Sequence, residues 1–184
     1  MKKILCTLLL LFLLITGCST DHSDSNMVNN TELAKGVKQK TEMPLKMPTD
    51  FNFMVSFGYG EVTKNVIDTY TGTVTKDLIT QGSATANIIF TTDELREIYD
   101  KMKTIDIMGP KKSSKEEGCF KTPSNEDKWK ITVDGETKIF SWTDQNCRMT
   151  EDANQLLELR IYIQQMAQES EAYKSLPEAE GGYD

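Results

Sequence analysis

The stretch FNFMVSFGYG, residues 51–60, decides the fold. Its apolar side chains recur at every second position, and they are Phe51, Phe53, Val55 and Phe57. A period of two is typical of a β-strand that buries one face. Gly58 and Gly60 end the pattern. We therefore predict a strand over residues 51–57 that contributes one face to the core.

Three more strands are predicted directly after it. The segment EVTKNVIDTYTGTVTKDLITQG is rich in Val, Ile, Thr and Tyr, with a glycine in its middle. This composition indicates two strands, over 62–70 and 73–79, joined by a turn at Thr71 and Gly72. Beyond a second turn at 81–82, SATANIIF predicts another strand over 83–90. Consecutive strands with short turns favour an antiparallel meander.

Two amphipathic helices are predicted. Thr91 and Glu94 have the spacing of a capping box, and the residues after them predict a helix over 92–104. Its apolar positions fall on one face: Leu95, Ile98, Tyr99, Met102, Ile105. Thr150 is a candidate cap for a second helix, over 151–170. The core positions of that helix are Leu156, Leu159, Ile163 and Met166.

A long polar loop and a hairpin lie between the two helices. Residues 108–128 contain Gly, Pro and a run of charges, which predicts a loop. Its part 111–117 is a candidate recognition loop, and a solvated insertion is the alternative. WKITVDGETKIFSW, residues 129–142, then predicts a hairpin that turns at Asp134 and Gly135.

The predicted fold class is α+β, with an antiparallel meander sheet, two helices packed on one face and one disulfide. The predicted domain covers residues 49–172. Residues 18–48 are polar without a sustained period, which indicates a flexible tether. Residues 173–184 are a polar C-terminal tail that we expect to fray.

Residues 1–17 have the pattern of an export signal. Lys2 and Lys3 precede an apolar run over residues 4–15, which is too short to span a membrane and suits a signal peptide. Thr16 and Gly17 are small, and they come just before Cys18.

The sequence ITGC, which ends at Cys18, resembles the lipobox of bacterial lipoproteins. In that family the signal peptidase cuts before the cysteine, and lipid is attached to its sulfur. The resemblance implies that Cys18 anchors the chain to the cell membrane at its extracytoplasmic face. Two or more acyl chains hold a protein stably where one does not. An ordinary secretory signal with an incidental cysteine is the alternative.

Two cysteines lie in the predicted domain. Cys6 leaves with the signal and Cys18 is the lipidation residue, so Cys119 and Cys147 remain. A pair of cysteines in an exported chain indicates a structural disulfide. A redox-active pair is the alternative, but the two residues form no C-x-x-C motif.

Composition narrows the function classes. The net charge is −7, and loss of Lys2 and Lys3 with the signal makes it −9, which disfavours binding to nucleic acid. The only histidine is His22, in the predicted tether, which argues against a Ser-His-Asp triad. No nucleotide or metal motif is recognisable, so we predict no cofactor, no metal and no enzymatic activity.

The candidate interaction residues lie in the first strands. Asp68, Tyr70, Lys76 and Asp77 fall within one predicted hairpin. The two aspartates suggest a carboxylate pair, as in glycosidases, or a site for a hard cation. A solvated hairpin is the favoured interpretation, because a turn at 71–72 places Asp68 closer to Thr75 than to Asp77. Tyr59, between two glycines, is a candidate interaction anchor.

Two further resemblances concern the predicted domain. The segments DTYTGTVTKDLI and TTDELREIYDKM resemble small uncharacterised exported proteins of Gram-positive bacteria. This resemblance covers most of residues 51–170 and implies no known activity. The order of elements resembles emfourin-type inhibitors of metalloproteases, and this likeness carries no inhibitory residue over.

The function predicted from these features is a membrane-anchored, extracytoplasmic lipoprotein that serves as a non-enzymatic binding or inhibitory module of the cell envelope. Its expected partners are the membrane, through Cys18, and an envelope or secreted protein. A carboxylate-based hydrolase of cell-wall glycans is one alternative. A purely structural envelope protein is the other.

Overall fold

The computed structural model describes residues 42–60, 62–112 and 118–183. The predicted signal, Cys18 and most of the predicted tether lie outside these ranges, as does 113–117 of the predicted loop. All described residues belong to one compact unit.

Six antiparallel strands form one sheet, in the order β4-β3-β2-β1-β5-β6. The strands are β1 Asn52–Tyr59, β2 Val62–Asp68, β3 Thr73–Asp77, β4 Ser83–Asn87, β5 Asn125–Val133 and β6 Glu136–Thr143. The first four strands form a meander, and the hairpin of β5 and β6 adds to the other side of β1. The predicted antiparallel α+β fold is confirmed.

β1 lies inside the sheet, between β2 and β5. One of its buried side chains lies opposite buried side chains of both neighbouring strands. Val55 lies opposite Ile67 of β2 and opposite Trp129 of β5. Directly opposite residues share a face of the sheet, and all three of these side chains are buried. The stretch that decided the predicted fold therefore forms the middle of the core face.

The described residues form three helices: α1 Thr92–Thr104 lies between β4 and β5, and α2 Glu151–Glu169 and the short α3 Glu171–Lys174 follow β6. The predicted capping box of α1 is present, with Thr91 Oγ1 accepting from Glu94 N and Glu94 bonding back to Thr91 N. Thr150 caps α2 with one bond, in which its side chain accepts from Ala153 N.

Helices α1 and α2 cover one face of the sheet. Their buried side chains join one cluster with the odd-numbered side chains of β1 and β5, and they include Ile98, Tyr99, Met102, Leu156, Leu159 and Ile163. The opposite face carries mainly hydroxyl and charged side chains, such as Thr75, Thr85 and Lys128. A sheet with helices on a single face matches the prediction.

Several predicted boundaries are wrong. The strands predicted over 62–70 and 73–79 end two residues earlier, at Asp68 and Asp77. The strand predicted over 83–90 ends at Asn87, because Ile89 is exposed while Ile88 and Phe90 turn into the core before the cap at Thr91. The loop predicted over 108–128 ends earlier, because β5 begins at Asn125 and pairs there with the end of β1.

The C-terminal segment does not fray as predicted. Leu176 is buried in the main core cluster. Glu180 forms a parallel bridge with Ile79, and Tyr183 stacks on Tyr59 with ring centroids 5.4 Å apart. Single apolar and aromatic residues within a polar sequence hold this segment against the sheet.

The predicted disulfide joins Cys119 and Cys147. It lies where the segment before β5 meets the segment after β6. Cys147 N donates to Cys119 O at 3.1 Å, and Lys121 N donates to Gln145 O at 2.8 Å. The bond and these main-chain contacts fix the entry to β5 beside the exit from β6.

Candidate functional site: a groove along the edge strand

The predicted carboxylate pair does not converge. Asp68 lies opposite Thr73 at the first residue of β3, whereas Asp77 is its last residue. Four residues along a strand separate the two positions by about 13 Å. Paired glycosidase carboxylates lie about 5 to 9.5 Å apart. The hairpin therefore does not form the acid pair that the hydrolase alternative requires.

Each of these aspartates has a local partner instead. Asp68 Oδ1 accepts from Tyr70 N at 2.8 Å, which stabilises the turn after β2. Asp77 is buried, accepts from Ile79 N at 2.9 Å and is bonded by the Tyr183 hydroxyl. Asp68 therefore stabilises a turn, whereas Asp77 stabilises a turn and also holds the C-terminal segment.

The other three predicted interaction residues also contact the chain itself. Tyr70 bonds the hydroxyl of Thr132 at 2.7 Å. Lys76 Nζ lies 3.2 Å from Glu178, and Tyr59 stacks on Tyr183. The five candidates do not form one site, although Tyr59, Lys76 and Asp77 all hold the C-terminal segment.

A groove of about 890 Å³ runs along the free edge of β6. One wall is formed by residues 136–142, and the other by residues 108–111, which follow α1. Leu156 of α2 also lines it. Since seven strand residues span about 20 Å, the groove is long rather than round.

The register of β6 shows which of its main-chain groups face the groove. Asp144 N donates to Asn125 O at 3.1 Å, so these residues form a hydrogen-bonded pair. Such pairs alternate along an antiparallel ladder. Even-numbered residues of β6 therefore bond to β5, and the N–H and C=O groups of Thr137, Ile139 and Ser141 point to the free edge. No described residue pairs with them there.

Side chains alternate in the same way across β6. Lys138, Phe140 and Trp142 lie on the core face and line the groove, whereas Ile139 lies on the opposite face and is 74% exposed. Phe140 stacks on the buried Trp129, with ring centroids 6.3 Å apart. The groove thus combines an unpaired strand edge with an apolar, aromatic wall.

Two lysines tie the loop wall to the rest of the domain. Lys138 Nζ donates to Ile107 O at 2.8 Å and also to Gly109 O. Lys111 Nζ bonds Ile105 O and lies 3.5 Å from Asp152. Burial and the nearby Lys111 lower the pKa of Lys138. These bonds hold residues 105–111 at a fixed position beside β6.

A buried carboxylate lies behind the groove. Asp127 of β5 is directly opposite Trp142, and its Oδ2 lies 3.4 Å from Arg160 Nε. Burial raises the pKa of Asp127 to about 6, although Arg160 opposes the shift. Asp127 Oδ1 has no hydrogen-bond partner of standard geometry. This ion pair fixes α2 against the sheet.

The groove was not predicted from the sequence. The predicted hairpin over 129–142 included β6, but the sequence did not show that β6 is an edge strand. One signal was present: Ile139 and Phe140 are adjacent and both apolar, so one of them must face away from the core of a period-two strand.

Metal clusters and membrane-spanning helices are both absent from the described ranges. No three His, Cys, Asp or Glu side chains are placed there to hold a metal ion together. None of the described helices is both long and apolar enough to cross a membrane. The candidate recognition loop, 111–117, lies mostly outside these ranges, so its role stays a prediction.

No protein-family model matches the chain, and no curated protein or solved structure matches it. The resemblances to bacterial lipoproteins, to exported proteins and to emfourin-type inhibitors therefore stay predictions.

Proposed function

We propose that the chain is a lipid-anchored, extracytoplasmic binding module of the cell envelope, without enzymatic activity, and that the groove along β6 is its binding surface. The observation that carries the proposal is the groove itself, where an apolar wall meets main-chain groups that bond no other described residue. Binding sites are usually concave, mostly apolar and equipped with a few oriented polar groups.

Membrane attachment is the other half of the proposal. It is supported by the signal pattern of residues 1–17 and by ITGC at Cys18. A partner in the envelope is consistent with this placement. An inhibitory role would follow if the bound partner were an enzyme.

The proposal predicts covalent capture of a partner at the groove in living cells. A photo-crosslinking amino acid is placed at Thr137 or Ser141 in the full-length chain, and at Thr85 of the opposite edge strand as the control. All three side chains are exposed and lie at a strand edge on the face away from the helices, so a crosslinker at Thr137 or Ser141 reaches a partner that lies along the edge of β6. We expect a discrete adduct from the two groove positions and none from Thr85.

Two outcomes would contradict the proposal. One is an absence of adducts at both groove positions in cells that express and export the protein. The other is the same set of adducts from Thr85 as from Thr137, which would indicate collisions rather than a binding surface.

A further inference from the structure

We propose that the groove accepts an extended polypeptide as a seventh, antiparallel strand of the sheet, and that the accepted segment has the pattern apolar-x-apolar-x-acidic. This inference rests on the proposed function, because it names the class of partner that the same groove binds. Addition of a strand to an exposed sheet edge is a known mode of peptide recognition, in which main-chain bonds give affinity and alternate side chains give specificity.

The main chain of β6 supplies the first argument. Thr137, Ile139 and Ser141 direct their N–H and C=O groups toward the groove, and no other strand of the described residues pairs with them. An added strand lies about 4.8 Å away and bonds these groups in pairs. Up to six main-chain hydrogen bonds are therefore open to a partner over five residues.

The two edges of the sheet differ in a way that singles out β6. The edge strand β4 has five residues, and the side chains at its outward positions are Ser83, Thr85 and Asn87. β6 has eight residues and exposes Ile139. Short and polar edges resist pairing, whereas long edges with apolar side chains favour it. Inward-pointing charges such as Lys138 also resist pairing, so a partner strand must satisfy this lysine.

The side chains of β6 define the apolar part of the pattern. A residue directly opposite Phe140 or Trp142 points its side chain to the core face, which is the groove. There it meets the aromatic wall and Leu156. Apolar side chains at these two partner positions would bury apolar area, and the residue between them would face solvent beside Ile139.

Charge complementarity defines the acidic position. The ammonium of Lys138 has three donors, and two of them go to the carbonyls of Ile107 and Gly109. No carboxylate of the described residues forms an ion pair with it within 4.0 Å, whereas the neighbouring Lys111 has Asp152. Asp106 and Asp152 lie near enough to act on Lys138 electrostatically, but neither forms a direct ion pair with it. A partner residue opposite Lys138 points into the groove, so an aspartate or glutamate there supplies a direct ion pair.

These arguments give a defined probe. The heptapeptide Ser-Val-Thr-Val-Thr-Glu-Ser places its two valines opposite Trp142 and Phe140 and its glutamate opposite Lys138 in the antiparallel register. The control peptide has the same sequence, with the two threonine nitrogens methylated. Those nitrogens would bond the free edge of β6, so methylation removes the pairing and keeps every side chain.

Binding is measured by fluorescence anisotropy with the full-length chain in detergent. We expect saturable binding of the unmodified peptide and an affinity at least about tenfold lower for the methylated peptide. Ile139→Pro should weaken binding to a similar degree, because it removes an edge N–H without removing a bond to β5. Thr85→Pro, the same change on the other edge strand, should leave the affinity unchanged.

The acidic position is tested by a double-mutant cycle. Replacement of the peptide glutamate by glutamine should weaken binding to the unmodified chain and have less effect on Lys138→Gln. Equal effects in both backgrounds would reject the predicted ion pair. This cycle also serves as the second readout if Ile139→Pro fails to fold, which circular dichroism would show.

Other outcomes would overturn the inference. These are no binding at millimolar peptide, equal affinity of the methylated peptide, or self-association of the free chain that Ile139→Pro abolishes, which would make a second copy the occupant. Failure of the proposed function can be distinguished from failure of strand addition. A partner crosslinked at Thr137 that is still captured after Ile139→Pro rejects strand addition alone, and the absence of any partner rejects both.

Discussion

Arg160 of α2 and Asp127 of β5 form a buried ion pair, with Nε 3.4 Å from Oδ2. Asp127 is 1% exposed, and the Arg160 guanidinium also lies over the ring of Phe57 at 5.1 Å. The pair joins the second helix to the strand beside β6, so it positions one side of the groove. Its cost is desolvation of the carboxylate, which the arginine offsets only in part.

The pH dependence of stability should report this cost. The pKa of Asp127 rises from 3.8 to about 6 on folding, so the folded state binds more protons than the unfolded state between these values. Stability therefore falls as pH rises through this window, by about 3 kcal/mol for this group. Asp127→Asn lacks the titration, so we expect the variant to gain about 2.5 kcal/mol relative to the native chain between pH 4 and pH 7.

Urea unfolding of both proteins at pH 4, 5, 6 and 7 checks this prediction. The other acids are present in both proteins and cancel in the difference, except for the part of the Asp144 titration that depends on the charge of Asp127. A difference in unfolding free energy that stays constant from pH 4 to pH 7 would show that Asp127 keeps its charge throughout.

The disulfide should contribute strongly to stability. Cys119 and Cys147 are 28 residues apart in sequence, and closing a loop of that length contributes about 3.5 kcal/mol through the unfolded state. We expect Cys119→Ser with Cys147→Ser to lose about that much in urea unfolding. A reductant should lower the stability of the native chain by a similar amount. It should leave the stability of the double variant unchanged. A double variant as stable as the oxidised chain would rule this contribution out.

The capping box of α1 should contribute about 1 kcal/mol to the free energy of unfolding. Thr91→Ala removes the acceptor for Glu94 N, and it leaves one end of the box unbonded. Thr92→Ala is the matched control, because Thr92 is exposed and lies just inside the helix. Thermal unfolding should show a loss for Thr91→Ala and a change within about 0.5 kcal/mol for the control. Equal losses would assign the effect to helix propensity.

Tyr183 should hold the C-terminal segment in place. Its ring stacks on Tyr59, and its hydroxyl bonds Asp77. We expect Tyr183→Ala to make the last residues cleavable by carboxypeptidase several times faster, since both contacts are lost. Tyr183→Phe keeps the stacking and should show an intermediate rate. Identical rates for all three proteins would mean that the segment is held by its other contacts, at Leu176, Glu178 and Glu180.

Local sequence signals predicted the elements whose causes are local. The bounds of α1 were predicted to the residue because the capping box fixes its start. The hairpin at Gly72 was predicted because a turn requires φ of 63° there, which glycine adopts readily. The start of β5 was not, because the residues from Asn125 to Lys128 are polar and have weak strand propensity. Their strand structure depends on pairing with β1, a partner about 70 residues away.

The groove could not be predicted for a similar reason. Whether β6 is an edge depends on strand order, which follows from β5 adding beside β1 rather than beside β4. The predicted site residues of the first hairpin were chosen for their chemistry. In the fold, Asp77 and Tyr59 contact Tyr183. Tyr183 lies in the C-terminal segment that was predicted to fray, so it was not considered as a partner.

Amide hydrogen exchange along β6, measured by NMR with and without the bound heptapeptide, tests the central claim most directly. In the free chain, the amides of Thr137, Ile139 and Ser141 should exchange fast, while those of Lys138 and Phe140 are protected by β5. Bound peptide should slow exchange at the three odd-numbered positions by about tenfold or more, which would establish an added strand. Saturation of the chain with peptide and no protection at Ile139 would contradict it.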